Sequence, residues 1–121
     1  MEVLSDEWFA RLEGLLRTAP LAQSSSAVGI GQLVLGAPAG DVAYTIVLGG
    51  DAPARLERGT LDHAAVTLVE DYATARAIAS GASVAEALGE GRIKVRGDAN
   101  ALSAAYELLA GLAPVLSAAA G

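Results

Sequence analysis

Ser83, with Asp62 and His63 earlier in the chain, supplies the residue types of a serine hydrolase, and Gly81-Ala-Ser-Val-Ala85 has the outline of a nucleophile elbow. An elbow places its serine on a sharp strand-to-helix turn. This serine stands between two helical patterns and opens Ser83-Val-Ala-Glu86, a capping box that accounts for both residues. His63 is the only histidine and there is no cysteine, so the chain lacks the donors of a multi-ligand metal site, a thiolate or a disulfide. It precedes a strand pattern, where a solvated loop histidine is the ordinary reading. Glu70 and Asp71 are adjacent, but paired-carboxylate catalysis needs two groups converging on one substrate. At what reads as a helix start, they complement the helix dipole instead. The pairs Gly29/Gly31 and Gly89/Gly91 lack the third glycine and the Lys-Ser/Thr of phosphate loops. The second pair also precedes a strand, so no helix N-terminus waits for a phosphate. Arg92, Lys94 and Arg96 form a basic row that could meet an acidic headgroup or a coenzyme A phosphate. The plainer reading is the solvated face of a half-buried strand. None of these groups makes a catalytic or metal-ligand set, and the expectation is a protein that is not an enzyme and takes no cofactor.

The elements that carry these residues are read from periodicity and punctuation. Ser5, followed by Asp6 and Glu7, caps a first helix whose stripe is Phe9, Leu12, Leu15 and Leu16, with Trp8 at its edge and Pro20 at the exit. Ala27 to Leu35 is β-compatible, and Gly29 and Gly31 inside it predict a bulge or a close backbone approach. Gly36 to Asp41 is turn chemistry, so Val42 to Leu48 returns as the second strand of a hairpin. Ala54 to Arg58 alternates as a short third strand. Ala64 to Val69, apolar apart from Thr67, reads as a central fourth strand. A second helix is expected over about Glu70 to Ser80 with Gly81 as its stop, and a short third one from the Ser83 cap to Gly89. Arg92 to Arg96 is the cleanest strand, with three cations on one side and Ile93 and Val95 on the other. Asp98 caps a last helix with the stripe Leu102, Ala105, Tyr106, Leu109 and Leu112. A charge-free tail follows Pro114.

Composition bounds what such elements do together. At 121 residues one domain, 1–121, is expected, burying roughly two-thirds of its unfolded surface. Hydrophobic residues make up 53% but aromatics only 4%, and alanine alone occurs 27 times. Mean hydropathy is +0.44. Small apolar side chains allow close layers yet fill little volume each, so the layers either pack solid or leave a void. A net charge of −6 disfavours nucleic acid and purely electrostatic attachment to anionic lipid. The acidic start, Met1 to Glu7, is unlike the basic leader of a signal peptide. Thr18 to Gly40 is uncharged, but Pro20, Gly29, Gly31 and Pro38 interrupt it, which argues for loop and strand rather than a membrane span. A cytoplasmic location without stable membrane insertion is the expectation.

Residues Ala65 to Leu112 resemble the sterol carrier protein type 2 family of lipid-transfer domains. A-V-T-L-V-E-D-Y-A-T-A-R-A-I-A-S-G is similar to the family's strand, following helix and closing glycine, and G-R-I-K-V-R-G-D to its basic strand with a Gly-Asp exit. L-S-D-E-W-F-A-R-L resembles the first helix of bacterial single-domain members, and D-V-A-Y-T-I-V-L their second strand. Two positions depart from the pattern: Ala65 stands where an Asp is usual, and Leu88-Gly89 where a bulky Phe-Met is usual. Lost bulk at the pocket's expected wall widens the cavity or opens its mouth.

The resemblance implies an α+β fold: a five-stranded, mostly antiparallel sheet covered on one face by four to five helices, with an apolar tunnel between the layers. It implies non-catalytic binding or transfer of fatty acyl chains, acyl-CoA, sterol-like or other lipids. Stripe positions assign the tunnel wall to Leu33, Leu35, Tyr44, Ile46, Leu68, Tyr72, Leu88, Leu102, Tyr106 and Leu109, with Tyr72 and Tyr106 as polar handles. The alternative, from the charge-free C-terminal stretch, is an interaction module with a solid core that docks onto a second copy or another chain.

Overall fold

A computed structural model describes residues 3–18, 28–38, 40–49, 54–97, 100 and 115. Eight elements are defined there: α1 (Asp6–Thr18), β1 (Val28–Leu35), β2 (Val42–Leu48), β3 (Arg55–Arg58), β4 (Val66–Asp71), α2 (Tyr72–Ala79), α3 (Val84–Gly89) and β5 (Ile93–Gly97). Helix α1 starts where its cap predicts: the Ser5 hydroxyl accepts from the Trp8 N–H at 3.2 Å, with Asp6 and Glu7 in the first turn. Trp8, expected at the edge of the stripe, is instead among its most buried members, with Phe9, Leu12 and Leu16.

The strands form one sheet in the order β3-β2-β1-β4-β5. Only β1 and β4 run parallel; the other pairs are antiparallel. The β1–β2 turn is closed by the Gly36 N–H donating to Asp41 Oδ1 at 3.0 Å and the Gly40 N–H to the Ala37 carbonyl at 2.9 Å. Both glycines sit at positive φ, +72° and +112°.

The β1–β2 register runs unbroken from Val28↔Leu48 to Val34↔Val42, so there is no bulge at Gly29 or Gly31. Close approach is the reason for them. A Cβ on Gly29 would run into the His63 carbonyl. One on Gly31 would lie 2.8 Å from Thr67 Oγ1 and 2.9 Å from both the Ala64 Cβ and Leu61 Cδ2. The 59–65 connection thus crosses tightly over one face of β1. It is held by Ala65 N–H to the Gly29 carbonyl at 2.9 Å and by buried Thr45 Oγ1 donating to the Thr60 carbonyl at 2.8 Å.

Strand β4 extends two residues past its expected end, and α2 begins correspondingly later. Glu70 pairs with Val34 and Ile93 in the ladders. Asp71 ends the strand and caps the helix, accepting from the Thr74 N–H at 2.7 Å. Helix α2 stops at Gly81 (φ +104°), where the Ala82 N–H reaches back to the Ala77 carbonyl at 2.9 Å. Ser83 caps α3, its hydroxyl accepting from the Glu86 N–H at 3.2 Å. In β5 the alternation is as read: Ile93 is buried and Val95 half-buried, while Lys94 and Arg96 are exposed.

The described residues hold three helices. Asn100 is also helical, in the stretch expected to carry the last one, and so is Val115, in the charge-free tail after Pro114. The Asp98 cap and the stripe from Leu102 to Leu112 lie outside the described residues. Val115, in the tail that the alternative reading docks onto a second copy or another chain, packs half-buried against the core. Among the described residues no helix is long and apolar enough to cross a membrane.

Candidate functional site

Strand register sorts the sheet's side chains into two faces. Val28, Ile30, Gln32 and Val34 of β1 share a face with Val42, Tyr44, Ile46 and Leu48 of β2, and with Val66, Leu68 and Glu70 of β4. Ile93 and Val95 of β5 complete it. This is the face that meets the helices: Ile30, Tyr44, Ile46, Leu48, Val66, Leu68 and Ile93 form one cluster with Trp8, Phe9, Leu12 and Leu16 of α1, Ile78 of α2 and Ala87 of α3.

At the β2–β3 end, α1 seals the layer with aromatic rings. Trp8, Phe9 and Tyr44 meet edge to face, with centroids 5.0, 6.0 and 5.3 Å apart. Arg58 lies 4.2 Å over the Phe9 ring and pairs with Asp6 at 2.9 Å. A hollow of about 330 Å³ opens beside this corner, lined by Phe9, Asp41, Val42, Ala43, Arg58 and Gly59. None of the expected wall residues that are described borders it.

Of the ten expected wall residues, Tyr44, Ile46 and Leu68 lie buried on the helix-facing side of the sheet, and Leu88 packs half-buried against the same cluster from α3. Tyr72 is half-buried at the start of α2, and its hydroxyl donates to the Val3 carbonyl at 3.4 Å. Leu33 and Leu35 do not join them. They share the face of Gly29 and Gly31, on which the 59–65 connection lies, and Leu35 is 40% exposed. The reason is period-two alternation: once Ile30 and Val34 face the helices, Leu33 and Leu35 must face away. Leu102, Tyr106 and Leu109, the expected far wall, lie outside the described residues.

Beside Tyr44, an expected wall residue, the helix-facing side carries two polar groups that were not expected there, Gln32 and Glu70. Gln32 is 4% exposed, Glu70 6% and Tyr44 3%. Gln32 stands directly across from Tyr44 on β2 and from Leu68 on β4, one step along the strands from the Glu70–Val34 pair. Glu70 Oε2 is buried with no hydrogen-bond partner among the described residues, as is Trp8 Nε1. Burial, reinforced by the Asp71 charge, pushes the Glu70 carboxyl up from 4.5 to about 7. Burial also drives the Tyr44 phenol far above its ordinary value, with a further push from Glu70. Asp71 moves the other way, because Thr74 bonds to its charged form through side chain and backbone. The available signal was the run Val66-Thr-Leu-Val-Glu70, in which an acid occupies the apolar parity of Val66 and Leu68.

The remaining chemical candidates are held by structural roles. Ser83 caps α3. His63 is exposed and its Nδ1 lies 2.8 Å from Glu57 Oε1. Arg92 pairs with Glu90 at 2.9 Å at the exposed start of β5. No group of three or more metal-ligating side chains occurs among the described residues.

No protein-family model matches the sequence, and no curated protein does. Solved structures match over almost the whole chain. A conserved hypothetical protein from Thermus thermophilus, described as a possible sterol carrier protein, gives a TM-score of 0.73 at 21% identity, covering 98% of this chain and 90% of that one. A crystal structure of sterol carrier protein 2 gives 0.72 at 17% identity and covers 98% of both chains. The palmitated SCP2L2 protein of Aedes aegypti gives 0.61 at 21% identity, covering 93% of this chain and 95% of that one. With its five-stranded sheet, single parallel pair and one helix-covered face, the chain has the fold of the sterol carrier protein 2 structures.

Proposed function

We propose that the protein is a cytoplasmic, single-domain carrier that binds fatty acyl chains or related lipids between its sheet and helices without transforming them. The full-length likeness to sterol carrier protein 2 structures, one of them palmitated, carries this reading. The broad apolar face of the sheet supports it, since a hydrocarbon chain needs no precise polar partner there. Each methylene moved from water into such a layer contributes about 0.8 kcal/mol. A ten-carbon tail therefore gains roughly 8 kcal/mol, less several kcal/mol for association, which leaves micromolar affinity. The expected tunnel wall from the described residues is Tyr44, Ile46, Leu68 and Leu88, with Tyr72 at its margin.

Titration with a fluorescent fatty acid tests the reading. Saturable binding near micromolar concentration is expected, and Leu88→Trp, which adds bulk at a half-buried wall position, should weaken it about tenfold or more. Absence of saturable binding by the wild-type protein, with native mass spectrometry finding no co-purifying lipid, would sink it.

A further inference from the structure

We propose that Glu70 selects the polar end of the bound lipid, favouring a neutral hydroxyl over a carboxylate. This inference rests on the lipid-carrier reading and orders its ligands, placing chains that end in an alcohol ahead of the corresponding acids. Three observations support it. Glu70 lies on the helix-facing side of the sheet, 6% exposed, between the apolar partners Val34 and Ile93. Its Oε2 is buried with no hydrogen-bond partner among the described residues. Gln32 and Tyr44, both buried, continue the same band across β1 and β2, so the only strongly polar strip on this face of the three inner strands runs through these residues.

An orphaned carboxyl oxygen in such a place is costly unless something arriving there bonds to it. A lipid carboxylate brings a second negative charge into the same dry space, which like-charge repulsion disfavours. A hydroxyl donates to the ionised carboxylate and accepts from the protonated acid, and the Gln32 amide offers it a second partner. The charged and titratable groups around Glu70 do not reverse this preference. Asp71, next on its strand, is a carboxylate, and Tyr44 on β2 is a phenol held neutral by burial. Arg92, the cation near Asp71 at the start of β5, is paired with Glu90. Arg76 of α2 is exposed and lies over the Tyr72 ring.

The experiment uses three probes of equal chain length, dodecan-1-ol, dodecanoate and dodecylamine, each displacing a neutral fluorescent lipid from the full chain at about pH 8. The alcohol should bind about tenfold or more tightly than the acid. Glu70→Gln, which keeps the shape and removes the charge, should bring the two within about threefold by strengthening the acid. Lowering the pH of the wild-type protein from about 8 to about 6 should shrink the same ratio, a readout that needs no variant and stands even if Glu70→Gln fails to fold. Equal affinities for alcohol and acid in the wild type, a preference untouched by both pH and Glu70→Gln, or tightest binding of the amine would each overturn the selection. Failure of the neutral fluorescent lipid to bind at all would instead overturn the carrier reading beneath it.

Discussion

Glu70 also sets a stability that should depend on pH in a calculable way. Its carboxyl titrates near 4.5 when solvated and is pushed up to about 7 in the folded chain, chiefly by burial. The folded protein therefore keeps this proton to higher pH than the unfolded chain does. The contribution is fully present below about pH 4.5 and is lost as pH rises toward 7 and beyond. The whole swing is about 3 kcal/mol at 1.36 kcal/mol per pH unit, of which about 2.5 kcal/mol falls between pH 5 and pH 8. Glu70→Gln has nothing to titrate at this site, while every other ionisable group stays in place. Urea unfolding of both proteins at the two pH values isolates the effect as a double difference. The variant should gain about 2.5 kcal/mol relative to wild type on going from pH 5 to pH 8, a midpoint change of about 1–2.5 M at ordinary urea slopes. Parallel pH profiles for the two proteins would refute the reasoning, because they would mean that Glu70 is as well solvated or as well paired in the folded chain as in the unfolded one.

Other substitutions probe the frame around the site. Gly31→Ala should cost about 1–3 kcal/mol of thermal stability, because its Cβ would press on Thr67, Ala64 and Leu61. Gly14→Ala, with nothing within 4 Å in the middle of α1, should instead add about 0.5–1 kcal/mol. Asp71→Ala should lose about 1 kcal/mol by removing the cap on the Thr74 N–H, measurable as a lowered urea midpoint at neutral pH. Leu12→Ala empties a fully buried position in α1 and should cost about 2–5 kcal/mol in the same assay.

Local signals were legible because they are settled within a few residues. The Ser5 and Ser83 caps, the Gly36–Asp41 turn and the alternation of Arg92 to Arg96 each need only neighbours in sequence. The boundary between β4 and α2 was not of that kind. Glu70-Asp71 looks like the acidic first turn of a helix, and only the ladder to Val34 and Ile93 makes Glu70 a strand residue. That same misreading concealed the buried acid. Strand β1 misled for another reason: in V-G-I-G-Q-L-V-L, glycine at two positions of one face leaves Ile30/Val34 and Leu33/Leu35 as equally apolar choices. The 59–65 connection breaks the tie, and that contact is tertiary. Trp8 likewise belongs to the core through Tyr44, a strand away.

The parallel pair at the middle of the sheet has a consequence for how the chain assembles. Of the five described strands, the one made first ends up innermost, and its second neighbour, Val66 against Ile30, comes 36 residues later. During synthesis the hairpin of residues 28 to 48 can zip while residue 66 is still unmade, leaving one row of backbone amides and carbonyls exposed as a template for stray strands. That edge is covered only when residues 66 to 71 dock beside β1, which ends the window for aggregation.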